Sequence, residues 1–549
     1  MDNKLFDMVV VGTGTGMLAA LAAAEAGMSV LLVEKSEYVG GSTALSGGGF
    51  WVPCNPMLAE AGAPDSMSQA TEYLAAVTGG EAPEARWKSF LSHGADAVNA
   101  LRRLTPLKFG HMADYADYFP ELPGGSAVGR AMEPKPFNAR KLGADRDKLR
   151  PPALKAPFPM PVTGSSYKWL NLVARTPRGI AVAARLLGMG VGGLAIGREY
   201  IAGGGALAAG LYAGVRARNI PVWLDSPLKE LLVEDDRVVG VVVRRDGKDI
   251  SVRAKRGVVL AAGGFDRNEA MRHTYQSEKL DTDWALGNPA NTGDAITLAA
   301  QAVGADLAFM EESWWFPAVP IPGPMPGTLL AERSLPGQII VNQAGERFMN
   351  EAVNYMTAGK EMLREDLPVW MVFDQRYRNR YVFGGSIFPR QSFPQEWYDA
   401  GVVKKADSLE KLAAELGMAA LPQSVQRFNT MCASGHDDDF GRGDSAYDRY
   451  YGDPAVKPNP CLGPVDQGPF YAVKVVPGDL GTCGGVKADE FARALRPDGS
   501  VIEGLYATGN AVGNAFGRVY PGPGATIAQG LVFGYIAASH AAGRLSDDV

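Results

Sequence analysis

Histidine, cysteine and surplus positive charge are all scarce in this chain of 549 residues. The five histidines form no His-Glu-x-x-His pattern or comparable cluster, so a catalytic metal is not expected. The four cysteines, Cys54, Cys432, Cys461 and Cys483, show no Cys-x-x-Cys spacing. In a chain this long that fits a reducing compartment better than a disulfide scaffold. A net charge of −6 argues against a nucleic-acid partner and leaves no polybasic membrane patch. A clean membrane-spanning run is missing too. Residues 179–215 are strongly apolar and rich in Gly and Ala, but Arg185, Arg198 and Glu199 interrupt them. They read either as a helical hairpin packed on the core, or as a shallow membrane contact or greasy substrate entrance. The N-terminus enters a strand at once, with no charged and apolar leader, so no secretory signal is expected. The expected location is cytoplasmic, with peripheral membrane association through 179–215 left open.

What the chain has in abundance is glycine at both ends. Met8-Val9-Val10-Val11 runs into Gly12-Thr13-Gly14-Thr15-Gly16, and Leu31-Leu32-Val33-Glu34 follows about twenty residues on. Phe6–Val11 reads as a buried strand, Leu18–Ala26 as an alanine-rich helix and Ser29–Val33 as the next parallel strand. This pattern suits a dinucleotide: a tight turn, a helix N-terminus aimed at a pyrophosphate, and an acid for a ribose hydroxyl. The third glycine falls one residue early, with Met17 in its usual place. Next comes Gly40-Gly41-Ser42-Thr43-Ala44-Leu45-Ser46-Gly47-Gly48-Gly49, whose bare backbone and hydroxyls suit close wrapping of a cofactor. Near the far end stand Gly504-Leu505-Tyr506-Ala507-Thr508-Gly509-Asn510 and Tyr520-Pro521-Gly522-Pro523-Gly524-Ala525. They imply that the chain returns to the same ligand.

Residues 200–264 read as a helix (Gly203–Arg216), a strand, a hairpin turning at Glu234-Asp235-Asp236, and a buried strand running into Ala261-Ala262-Gly263-Gly264. From about residue 276 tryptophan, proline and mixed charge appear. The length calls for two or three domains. The expected division is a cofactor domain over 1–275, an inserted substrate domain over 276–449, and the rest of the cofactor domain over 450–549. Asp437 to Asp453 is read as the polar connection that carries the chain back.

These motifs, with Tyr118-Phe119-Pro120-Glu121-Leu122-Pro123-Gly124-Gly125 and Gly345-Glu346-Arg347-Phe348-Met349-Asn350-Glu351, resemble the fumarate reductase/succinate dehydrogenase flavoprotein superfamily. Within it the chain looks most like the 3-ketosteroid Δ1-dehydrogenases. The fold this implies is α/β: a two-domain flavoprotein with a discontinuous Rossmann-like FAD domain and an inserted α+β catalytic domain. The resemblance gives Tyr520 and the backbone N–H of Gly524 the C3 carbonyl of a 3-ketosteroid, as an oxyanion hole. It makes Tyr355 the base for the C2 proton and Tyr118 its supporting donor, with Tyr115 three residues earlier as a competitor. The C1 hydride then goes to flavin N5. A tyrosine base starts at a disadvantage of about 4 kcal/mol at pH 7.

The resemblance also implies the cofactor contacts. Gly12, Gly14 and Gly16 would face the pyrophosphate and Glu34, with Lys35, the adenosine ribose. Gly41, Ser42, Thr43, Ser46, Gly47 and Gly48 would wrap the flavin side. Leu228 would offer backbone to adenine, while Ala262, Gly263, Asn291 and Asp294 close over the cofactor. Gly509, Asn510, Ala525 and Ile527 would lie at the ribityl and pyrimidine end. No histidine adjoins the Gly-Ser-Thr segment, so the FAD is expected to be noncovalent. The electron acceptor is expected to be external, a quinone or carrier. Dicarboxylate reductases of the superfamily use an Arg and His cluster as a clamp; this chain has Arg347 but few histidines, and His93 and His436 lack that setting. The alternatives are a Δ4-(5α)-ketosteroid dehydrogenase, an enoate or fumarate-type reductase, and a noncatalytic flavin or steroid carrier.

Overall fold

The structure, a computed structural model, describes residues 4–63, 65–152 and 158–545. Among these, an eight-stranded sheet organises the cofactor end. Lys4–Val11 is its centre, flanked in parallel by Val30–Val33 on one side and Lys248–Leu260 on the other. All four residues of Val30–Val33 are buried, as are Met8 to Val11, which is why both read as unbroken apolar runs. The hairpin Leu228–Glu234 and Arg237–Arg245 pairs with Lys248–Leu260. Its turn residues Asp235 and Asp236 have φ of +49° and +60°, a left-handed pair that short acidic side chains tolerate.

The chain does return. Val501–Ala507 lies parallel to Lys248–Leu260, in register from Val258 and Leu505. The helix Ala525–Ala541 then packs across the first helix, Gly16–Glu25. Small residues make that crossing close: a Cβ on Gly530 would collide with Thr15, and one on Gly534 would touch Ala19.

A second sheet runs Gly327–Thr328, Ser313–Val319, Phe470–Thr482, Val369–Asp374 and Gln338–Val341, with Val403–Ala406 also on Phe470–Thr482. Its central strand therefore comes from beyond residue 450. The expected boundary at 449/450 cuts this sheet, because Phe470–Thr482 pairs with Ser313–Val319 and Val369–Asp374. Residues 437–453 are no polar connection either. Asp437, Arg442, Asp448 and Asp453 are buried, and Tyr447, Tyr450 and Tyr451 join the main core.

The apolar stretch divides in two. The helix Gly203–Ala217 is packed into the core. The preceding helix, Pro177–Ala195, buries only Gly179, Leu186, Gly190 and Gly193. Ile180, Leu187, Val191, Leu194 and Ile196 are exposed. Among the described residues it is the one helix long and apolar enough to cross a membrane.

Candidate active site

The two sheets and the returning segment enclose a cavity of about 1030 Å³. Its cofactor end is built from backbone. Gly12 ends the first strand at φ +110°, and a Cβ there would overlap the Ala261 carbonyl. Gly48 is pressed on Gly203 in the same way. Such contacts let the main chains of these segments pack directly on one another, which only glycine permits. The helix Gly16–Glu25 begins at this turn, and Gly14 and Thr15, just before it, line the cavity.

Glu34 braces the turn. One carboxylate oxygen accepts from Thr13 Oγ1 at 2.7 Å and Thr13 N–H at 3.2 Å, the other from Ser36 N–H and Oγ at 3.0 Å each. Thr13 Oγ1 in turn accepts the Gly40 N–H at 3.2 Å, which fixes the glycine run. Part of that run is a short helix, Gly41–Leu45. Ser42 Oγ accepts from the Asn288 N–H at 2.9 Å and Asn291 Nδ2 at 3.0 Å, so the 286–294 segment is held against it. Lys35 Nζ donates to Thr292 Oγ1 at 2.5 Å and Asp294 at 2.7 Å across the cavity edge. Behind Asn291, Asp266 is fully buried; desolvation first, then Asp479, pushes its carboxyl up to about 7.

Gly12, Gly14, Glu34, Lys35, Gly41, Ser42, Thr43, Ser46, Gly47, Gly48, Leu228, Ala262, Gly263, Asn291, Asp294, Gly509, Asn510 and Ile527 all line this cavity. Gly16 and Ala525 do not. A Cβ on Gly16 would lie 2.7 Å from Ala261 Cβ, so this glycine serves close packing of helix on strand. Ala525 sits in the core and gives its N–H to Gly522; Thr526 lines the cavity instead. Thr13, Asn288 and Arg150 also line it and were not singled out from the sequence. Thr13 lies inside the glycine motif, and Asn288 three residues before Asn291; hydroxyl and amide neighbours of such motifs are the available signal.

At the other end three phenols converge. Tyr118 stacks on Tyr520 with centroids 5.1 Å apart and meets Tyr355 edge-on at 5.2 Å; Tyr355 and Tyr520 are 5.4 Å apart. Trp314 and Phe316, from one strand, close the cluster against Tyr520 and Tyr355. Tyr115 instead stacks on Tyr450 at 4.3 Å. Burial pushes the Tyr520 phenol up to about 12, opposed by the Tyr355 hydroxyl and by the backbone N–H groups of Thr526 and Gly524. A phenol and the Gly524 amide are thus side by side. Gly524, at φ +89°, caps the last helix; a Cβ there would overlap the Gly49 carbonyl.

Burial likewise holds Tyr355 well above the ordinary tyrosine value, and Tyr520 and Tyr115 add to the rise, while the facing Tyr118 hydroxyl opposes it. Tyr118 Oη is buried and faces the Tyr355 and Tyr115 hydroxyls, without a hydrogen bond of ordinary length to either. Arg347 takes no part. Its guanidinium is buried and spans Glu351 and Asp437, each bidentately at 2.8–3.1 Å. It cannot also clamp a substrate carboxylate.

A family model described as FAD binding domain matches residues 7–527. A 3-oxosteroid 1-dehydrogenase of Mycolicibacterium smegmatis is 46% identical over 98% of this chain and 97% of its own. One from Mycobacterium tuberculosis is 46% identical, over 99% of each chain. A crystal structure of 3-ketosteroid Δ1-dehydrogenase from Sterolibacterium denitrificans, in complex with 1,4-androstadiene-3,17-dione, superposes with a TM-score of 0.94. It is 37% identical, and the match covers 99% of this chain and 100% of that one. The glycine-lined cavity fits FAD, and the chain belongs to the FAD-binding flavoprotein family of the 3-ketosteroid Δ1-dehydrogenases.

Proposed function

We propose that this protein catalyses the FAD-dependent 1,2-dehydrogenation of 3-ketosteroids. The observation that carries the reading is the adjacency of the Tyr520 phenol and the Gly524 N–H, with Tyr355 and Tyr118 facing them. Tyr520 and Gly524 would donate to the C3 oxygen of the steroid. Their donation favours the enolate that forms as the neighbouring C2 proton leaves. Tyr355 would take that proton, and Tyr118, donating to the developing phenolate, would lower the cost. FAD, when bound, supplies the acceptor for the C1 hydride. The glycine turn, the Gly41–Gly48 segment, Asn291, Asp294, Gly509, Asn510 and Ile527 would hold it. The absence of any histidine or cysteine from the described cavity lining supports a noncovalent attachment. Reoxidation would use an external quinone or carrier.

The engagement of Arg347 by two buried carboxylates disfavours dicarboxylate reduction. We further propose a cytoplasmic protein that touches a membrane through the exposed face of Pro177–Ala195. Tyr200 and Ile201, just beyond that helix, line the cavity with Met160 and Pro161, so a greasy substrate could enter from this side. The domain division we propose keeps the FAD part discontinuous, with the final return after Thr482 rather than at residue 450.

The test is anaerobic addition of androst-4-ene-3,17-dione to the holoenzyme. Bleaching of the flavin and a product with a new 1,2 double bond are expected. An unbleached flavin, or a product without that bond, contradicts the reading.

A further inference from the structure

Tyr73 sits on the helix Met67–Thr78, fully buried, outside the cavity lining. Its hydroxyl makes two bonds, both to backbone. It donates to the Pro521 carbonyl at 2.6 Å and accepts the Phe119 N–H at 3.3 Å. Pro521 follows Tyr520, and Phe119 follows Tyr118. The same Pro521 carbonyl also accepts the Tyr118 N–H at 3.1 Å. One hydroxyl therefore ties together the chain segments that carry two of the three converging phenols, although they lie some four hundred residues apart.

The tie is anchored on the other side. The Tyr73 ring packs on Trp51 with centroids 6.1 Å apart, and the Arg130 guanidinium lies 5.5 Å from its centre. Arg130 binds Asp117, next to Tyr118, and Asp65, next to the cap of the Tyr73 helix. Asp117 also accepts from Trp51 Nε1 at 2.8 Å. Gly522 rests flat on the Trp51 indole; a Cβ there would overlap it. If only apolar packing were required, phenylalanine would fill the same space. The hydroxyl is spent on the register of two loops.

We propose that Tyr73 is a positioning residue that sets Tyr118 against Tyr520, an inference that rests on the roles given above to those two tyrosines. A hydroxyl with one proton and two lone pairs can hold a donor and an acceptor from different segments at once. Misplacement of a reacting group by about 1 Å can cost on the order of a hundredfold in rate. Y73F keeps the ring and its packing but releases Pro521 from one of its two donors and leaves the Phe119 N–H unpaired.

The experiment is a double-mutant cycle on the FAD-loaded enzyme with androst-4-ene-3,17-dione: wild type, Y73F, Y118F and Y73F/Y118F. Y73F is expected to retain FAD and to lower kcat by about ten- to a hundredfold, with KM within about twofold. In the Y118F background the added loss should be clearly smaller than in the wild type, because the Tyr118 hydroxyl is gone and only the placement of Tyr520 is still at stake. Independent, multiplying losses would overturn the proposal. So would a rise in KM that matches the fall in kcat, or failure of Y73F to fold or hold flavin. Wild type and Y118F serve as the internal check: no turnover by wild type, or full turnover by Y118F, would instead strike at the roles assigned to the site.

Discussion

Tyr355 is a poor base by its surroundings. An ordinary phenol is about a thousandfold short of its ionised form at pH 7, and burial among other phenols deepens the deficit. The sign follows directly. A raised value leaves the basic form scarce at neutral pH, and its share grows about tenfold per pH unit up to that value. The logarithm of kcat/KM should therefore climb from pH 6 through pH 9; a flat profile would remove Tyr355 from the base role. Tyr118 supplies the compensating donor, and a hydrogen bond to a charged partner is worth about 1.5–3 kcal/mol. Y118F should then lose about ten- to a hundredfold in kcat, with a pH profile that runs parallel to the wild-type one and below it. For Tyr520 the loss should be larger, about a hundred- to a thousandfold in Y520F, since an oxyanion donor is deleted. Flavin absorbance should stay unchanged in that variant.

At the level of elements, glycines with the same sequence signature have different duties. Gly12 combines a left-handed backbone with a collision against Ala261, so Gly12→Ala should yield protein without FAD. Gly188, on the helix Pro177–Ala195 and outside the cavity lining, has no atom within 4 Å of where a Cβ would go and no left-handed φ, so Gly188→Ala should retain flavin. Equal flavin content in the two variants would refute this account of the turn. The helix Pro177–Ala195 carries a separate expectation. Replacing Ile180, Val191 and Leu194 by glutamine should reduce sedimentation with phosphatidylcholine vesicles and leave kcat on a dissolved ketosteroid unchanged. Retained sedimentation would remove the membrane contact.

Much of this was legible in the chain itself, for physical reasons. The strand–turn–helix–strand at residues 4–33 announces itself because parallel strands are buried on both faces and its turn needs a bare backbone at Gly12. The hairpin at Asp235-Asp236 shows for another reason, two short acidic residues between two valine- and leucine-rich runs. The catalytic phenols came through resemblance of motifs, since an isolated tyrosine carries no periodic signal. Residues 437–453 read as a polar connection because buried ion pairs look like solvated loop in sequence: Asp437 and Arg442 meet Arg347 and Glu351 inside. Gly16 reads like the other motif glycines, and only three-dimensional packing shows that a Cβ there would meet Ala261.

Over the whole molecule, the account is one of a chain that must close on itself. Its first and last helices cross at Thr15, Ala19, Gly530 and Gly534, and that crossing sets where Gly524 and Tyr520 stand relative to the glycine turn. The second sheet brings Tyr355 to them from the side, on the helix Tyr355–Leu363. The most direct measurement is a crystal structure of the FAD-loaded protein with androsta-1,4-diene-3,17-dione. The steroid's C3 oxygen should lie within hydrogen-bonding distance of both Tyr520 Oη and the Gly524 N–H, with Tyr355 Oη beside C2. A C3 oxygen bound elsewhere, with those two donors facing other groups, would contradict the central claim.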